Sequence, residues 1–180
     1  CSSDLSKLIN TASLYVDTPY VLHLNNDIVA LHDRWLEDML GWLSVTGVGV
    51  VGSRLLYPDL TVQHAGVVIG PHGGLADHIF NGDKSHEVGA LALQHAARNV
   101  SAVTGACLLT KLDLFNSIQG FNENKFAVEF NDVDYCLRVR QLGLRCVYTP
   151  QATLIHKTSA TRGKSYNPIE HLNFLDTYEN

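Results

Sequence analysis

The run Val48-Gly49-Val50-Val51-Gly52 constrains the fold more than any other feature of this chain, because a short β-branched segment bounded by glycine reads as a strand buried on both faces. Segments with helical spacing flank it. Leu5 to Val16 is one, and Arg34 to Leu43 carries Trp35, Leu36, Met39, Leu40 and Leu43 at helical intervals behind the N-cap candidate Asp33. Further strands are expected at Tyr20 to Leu24, Val67 to Gly70, Ala102 to Leu109 and Arg145 to Tyr148, the last ending before Pro150. Lys111 to Ile118 and Asp132 to Leu142 read as helices, the second closed by Gly143. Pro71 to Val88 is polar and rich in Gly, His, Asp and Asn, which predicts a long surface loop. The expectation is an α/β fold with a sheet flanked by helices.

At 180 residues and 46% hydrophobic content, the chain can bury a sizeable core and is most simply one domain, residues 1–180. A net charge of −5, with dispersed basic residues, argues against nucleic acid as a partner. Cys1, Cys107, Cys136 and Cys146 show no CxxC spacing, and three of them sit in apolar runs, so reduced, buried thiols are expected. No apolar run approaches the roughly 20 residues that span a bilayer. The expected location is the cytoplasm, at most peripheral at the inner face of the membrane.

Two acidic groups stand at element ends. Asn131 is a candidate N-cap, which places Asp132 and Asp134 in the first helical turn, where the dipole and free N–H groups favour carboxylates. Asn25-Asn26-Asp27 lies where the chain leaves the strand Tyr20 to Leu24. Capping alone accounts for the first group, but two carboxylate sites at element ends also suit a metal and a base.

The segments Tyr20 to Asp27, Trp35-Leu36, Gly49 to Pro58, Gln63-His64-Ala65-Gly66, Thr104-Gly105-Ala106-Cys107, Gly120-Phe121-Asn122-Glu123, Asn131 to Arg138 and Ile155-His156, in this order and spacing, resemble a family 2 glycosyltransferase of the GT-A fold, in its rhamnosyltransferase-like branch. Each tripeptide alone is weak, whereas the ensemble is specific and runs from about Asn10 to about Gly163. The resemblance implies a GT-A mixed sheet flanked by helices. It also implies inverting transfer of a sugar from a nucleotide-sugar donor, such as a UDP- or dTDP-sugar, to a hydroxyl of a glycan or lipid-linked glycan, assisted by Mg²⁺ or Mn²⁺. Polysaccharide or other glycan assembly is the matching setting.

Carried onto this sequence, the resemblance makes Asp27 and His156 metal ligands and Asp132 the base, ahead of Asp134, which either binds substrate or pairs with Arg138 four residues on. Asn25, Asn26, Gly105, Ala106 and His64 become candidates for donor or substrate contact. Each has a structural competitor: a satisfied histidine for His156 and His64, a capping carboxylate for Asp132, and a tight turn for Thr104-Gly105-Ala106. Trp35 and Trp42 read as core residues. Where the family has Asp-x-Asp, this chain has Asn25-Asn26-Asp27, so one carboxylate becomes an amide. The family's domains open with nucleotide-holding elements ahead of this point. The chain is therefore expected to match the C-terminal two-thirds of such a domain. A non-catalytic remnant that binds carbohydrate or a partner is the alternative. A metal-dependent phosphoesterase would need more clustered His and Asp ligands.

Overall fold

The computed structural model describes residues 4–88, 90–157 and 167–178. Along the chain run α1 (Leu5–Ser13), β1 (Tyr20–Leu24), β2 (Ile28–Ala30), α2 (Trp35–Leu43), β3 (Val48–Leu56), β4 (Val62–His64) and β5 (Val67–Ile69). There follow α3 (Pro71–Gly74), β6 (Ala76–His78), a 3-10 segment (Ala90–His95), β7 (Arg98–Val100), β8 (Cys107–Lys111), α4 (Leu112–Ser117), α5 (Asn131–Gln141), β9 (Arg145–His156) and α6 (Pro168–Tyr178).

Seven strands form one mixed sheet, with the order β1-β8-β3-β9-β2 and with β4 on β3 and β7 on β9. Among the described residues only β3 and β9 pair in parallel; β5 and β6 make a separate antiparallel hairpin. Strand alternation divides the core between the two faces. Val50, Leu108 and Cys146 face a layer containing Phe115, Phe121, Tyr135, Val139 and Phe174. Their neighbours Val51, Leu109 and Val147 face Met39 and Leu43 of α2. Each such side chain contributes roughly 1.5–3 kcal/mol through burial. All nine residues of β3 are buried, as its β-branched run implies. Its glycine at 52 admits the neighbouring segment, since a Cβ there would stand 2.4 Å from Val103 Cβ. Trp35 and Trp42 pack partly buried against the α2 layer, and Cys107, Cys136 and Cys146 are buried free thiols. Cys1 lies outside the described residues.

Several expectations are corrected. The loop expected from Pro71 to Val88 contains α3 and strand β6, which pairs with β5 at Val67↔His78. The strand expected from Ala102 begins at Cys107, because Thr104 and Gly105 turn instead toward α5. Pro150 does not end a strand. β9 continues through it for 12 residues, with the irregularity absorbed by a register shift opposite Ser53 and Arg54. The residue before α5 is Phe130, left-handed at φ 58°, while Asn131 is inside the helix and its buried amide donates to Ser6 Oγ at 3.0 Å. Helix α6 had no counterpart in the sequence reading.

Candidate active site

Strand pairing assembles the first half of the site. β2 runs antiparallel to the end of β9 with Ile28 opposite His156, which brings the preceding Asp27 beside the His156 ring. Asp27 Oδ1 lies 3.0 Å from His156 Nε2, and the Asn25 amide nitrogen lies 3.2 Å from the same atom. His156 Nδ1 donates to Gln63 Oε1 at 2.6 Å, which leaves a lone pair on Nε2. Both side chains remain reachable from solvent, at 24% exposure for Asp27 and 12% for His156.

The second half comes from the turn before β8 and the start of α5. Gly105 N–H donates to Asp132 Oδ2 at 2.6 Å, and Val133 N–H donates to Oδ1 at 2.8 Å. Glycine permits that approach, because a Cβ at position 105 would lie 3.3 Å from Asp132 Cβ. Asn25 N–H donates to Ala106 O at 3.0 Å and thereby ties the Asp27 turn to the Asp132 turn. A cavity of about 400 Å³ opens between the halves. Asn25, His78, Thr104, Gly105, Asp132 and His156 form its polar wall, and Leu5, Ile9, Phe121, Val128, Phe130 and Val133 form much of its apolar wall. Beside it lies a cleft of about 220 Å³ bounded by Tyr57, Gln63, His78, Asn81, Thr104 and His156.

The structure therefore brings Asn25, Gly105, Ala106, Asp132 and His156 to one cavity, with Asp27 against His156. Asn26 is exposed in the turn and lines neither space. Asp134 goes elsewhere: it is 1% exposed, and its carboxylate accepts from Arg138 Nε at 2.8 Å and Tyr178 Oη at 2.7 Å. That network also pushes the Tyr178 hydroxyl upward, through burial first and then the Asp134 hydrogen bond and charge. His64 is fully buried behind the wall, where its Nδ1 meets His78 Nδ1 at 2.9 Å and its Nε2 accepts from Thr104 N–H at 3.4 Å. Burial holds His64 well below the usual imidazole range, with His78 and Arg98 adding to the effect.

Sequence reading missed Gln63, His78 and the lip formed by Glu129 and His171, whose side chains meet at 3.2 Å. Gln63 neighbours His64 in β4, where strand alternation sends the two side chains to opposite sides. His78 carried no signal, since it sat in a stretch read as loop.

Among the described residues no group of three or more His, Cys, Asp or Glu is placed to hold a metal ion. The pair Asp27 and His156 nevertheless fits two neighbouring ligand positions, because adjacent corners of an octahedron with roughly 2.1 Å bonds are about 3.0 Å apart. Carboxylate oxygen with imidazole nitrogen suits Mn²⁺ better than Mg²⁺.

This architecture is the fold of GT-A glycosyltransferases. The chain is similar to the Pyrobaculum calidifontis mannosyltransferase PcManGT in complex with GDP-Man and Mn²⁺, at 16% identity and TM-score 0.56, over 94% of this chain and 48% of that one. It is also similar to GalNAc-T7 with UDP, GalNAc and Mn²⁺, at 8% identity and TM-score 0.71, over 97% of this chain and 34% of that one. In sequence it is 40% identical over 172 residues to the uncharacterized protein y4gI of Sinorhizobium fredii, covering 94% of this chain and 18% of that protein. It is 39% identical over 157 residues to the O-antigen biosynthesis protein RfbC of Myxococcus xanthus, covering 85% and 12%. The chain thus spans less than a fifth of the length of these two relatives. No protein-family model matches the chain. No helix among the described residues is long and apolar enough to cross a membrane.

Proposed function

We propose that this chain is the catalytic part of an inverting, metal-assisted family 2 glycosyltransferase that moves a sugar from a UDP- or dTDP-sugar to a hydroxyl of a glycan or lipid-linked glycan. One observation carries the reading: His156, partnered by Asp27, and Asp132 line one cavity of about 400 Å³. The name of one relative, the O-antigen biosynthesis protein RfbC, supports glycan assembly as the setting.

In this reading Asp27 and His156 are the residues that would hold the divalent cation. When bound, the ion supplies Lewis-acid stabilisation of the departing diphosphate. Asp132, steadied by the N–H groups of Gly105 and Val133, accepts the proton of the acceptor hydroxyl. The acceptor oxygen then forms the new bond to the anomeric carbon from the face opposite the diphosphate. As that bond forms, the old glycosyl–oxygen bond breaks and its electron pair leaves with the diphosphate. The apolar wall around Phe121 and Phe130 suits the apolar face of an acceptor sugar or a lipid carrier.

Calorimetric titration with UDP, dTDP and GDP and their sugar conjugates, with and without Mn²⁺, tests the proposal. Metal-dependent binding of one nucleotide series, with transfer by the parent protein, is expected. Binding without transfer in the parent protein sinks the catalytic reading in favour of a carbohydrate-binding remnant, to which the amide at Asn25 points. Absence of nucleotide binding by the parent protein rejects both nucleotide-dependent readings.

A further inference from the structure

We infer that His78 is a positioning residue for the sugar under transfer: a ring locked by His64 in the tautomer that carries its proton on Nε2, donating a hydrogen bond to a sugar hydroxyl where the two cavities meet. The assignment of the ligand rests on the glycosyl-transfer reading above. The assignment of the proton does not.

The proton pattern follows from a donor that cannot accept. Thr104 N–H points at His64 Nε2 at 3.4 Å, so that nitrogen presents a lone pair. His64 is fully buried and therefore neutral, which places its one ring proton on Nδ1. That proton faces His78 Nδ1 at 2.9 Å, with the rings edge-to-face at 76°, so His78 Nδ1 must accept. A neutral His78 then carries its proton on Nε2, on the side of the ring turned away from His64. Burial disfavours a second proton on His78, while the carboxylates of Asp132 and Asp77 oppose that trend. The order backbone amide, His64, His78 makes a one-way relay that ends on an N–H donor.

The location selects the ligand. His78 lines both the cavity that holds Asp132 and the adjacent cleft with Tyr57, Gln63 and Asn81. Thr104 and His156 also border both spaces. In the transfer reading the sugar sits between a diphosphate at His156 and an acceptor oxygen at Asp132, and His78 lines the cavity that holds both. The cleft wall is made of polar side chains, as a hydroxyl-bearing ring requires. A donor fixed by a buried relay also discriminates, because a sugar lacking the matching hydroxyl leaves Nε2–H unpaired.

Two measurements test the inference. Nitrogen-15 imidazole NMR on this chain at neutral pH, without ligand, is expected to show His64 protonated at Nδ1 and His78 at Nε2. A proton on His78 Nδ1, or a doubly protonated ring, overturns the relay. In the parent protein with Mn²⁺, the affinities for UDP-glucose, dTDP-rhamnose and GDP-mannose are compared with those for UDP, dTDP and GDP. H78F is expected to weaken the sugar conjugate that the wild type binds by roughly tenfold, the loss of one neutral hydrogen bond, while sparing the bare nucleotide. H78Q, which keeps an N–H donor, is expected to recover part of that loss. Equal weakening of both ligands, or no effect, overturns the positioning role. If the wild-type parent binds no nucleotide at all, the transfer reading falls and takes the sugar ligand with it, an outcome distinct from a silent His78 substitution.

Discussion

Asp27 Oδ1 and His156 Nε2 stand 3.0 Å apart although 129 positions of sequence separate them, and the short pairing of β2 with β9 is what joins them. With Nδ1 donating to Gln63, Nε2 keeps a lone pair 3.0 Å from the carboxylate oxygen, the spacing that two neighbouring ligands of one cation would have.

Asp27→Ala and His156→Ala are therefore expected to weaken Mn²⁺ binding while leaving the fold intact. Gln63→Ala, which frees the ring without removing a ligand, should cost about 10- to 100-fold in metal affinity. Mn²⁺ titration followed by electron paramagnetic resonance checks all three, and unchanged affinity in Asp27→Ala removes it as a ligand.

Asp132→Asn keeps the shape but not the proton acceptor. Turnover by the parent protein should fall by about 10²- to 10⁴-fold with donor affinity preserved. Single-turnover kinetics alongside donor titration separate the two quantities, and wild-type turnover would exclude Asp132 as base.

Asp134→Ala should act on stability rather than on donor affinity. It strips Arg138 and Tyr178 of a shared buried partner, at a cost of roughly 3–5 kcal/mol. Urea unfolding reads the loss. A stable variant with impaired substrate binding would instead return Asp134 to the site.

Acid stability should depend on His23, which packs against Phe115 and Phe121 and whose pKa burial lowers from the ordinary 6.5 to about 4. The unfolded chain takes up this proton near pH 6.5 and the folded chain does not until near pH 4. Its contribution to stability is thus complete above the first value and is lost as pH falls between the two, by about 3 kcal/mol in total. His23→Leu should flatten that part of the pH–stability curve, as chemical denaturation at pH 7 and pH 5 would show; an unchanged slope refutes the assignment.

The alternation of apolar runs made the sheet and its covering helices legible, since Val50 and Val51 announce two buried faces by their neighbours alone. Helix α5 was visible with its two carboxylates, and its spacing offered the Asp134–Arg138 pair, yet the first turn left open whether Asp134 binds substrate instead. The answer lies in tertiary partners, Gly105 for Asp132 and Tyr178 for Asp134. Strands β2, β4, β6 and β7 are three residues each, too short for periodicity to register. Their identity comes from the strands they pair with. β6 was further hidden because polar residues form a half-buried hairpin there.

Helix α6 reaches back to the turn that bears Asp132. Its Glu170 accepts the N–H groups of Val128 and Glu129, and its Phe174 stacks on Phe130 at 4.6 Å. Phe130 holds a left-handed backbone that disfavours most residues by roughly 1–2 kcal/mol, immediately ahead of the turn bearing Asp132. The last described helix is thus a buttress for a strained hinge. The backbone that leads into the Asp132 turn is braced from some forty residues downstream, so a change on α6 that leaves the cavity wall untouched would register first at that turn.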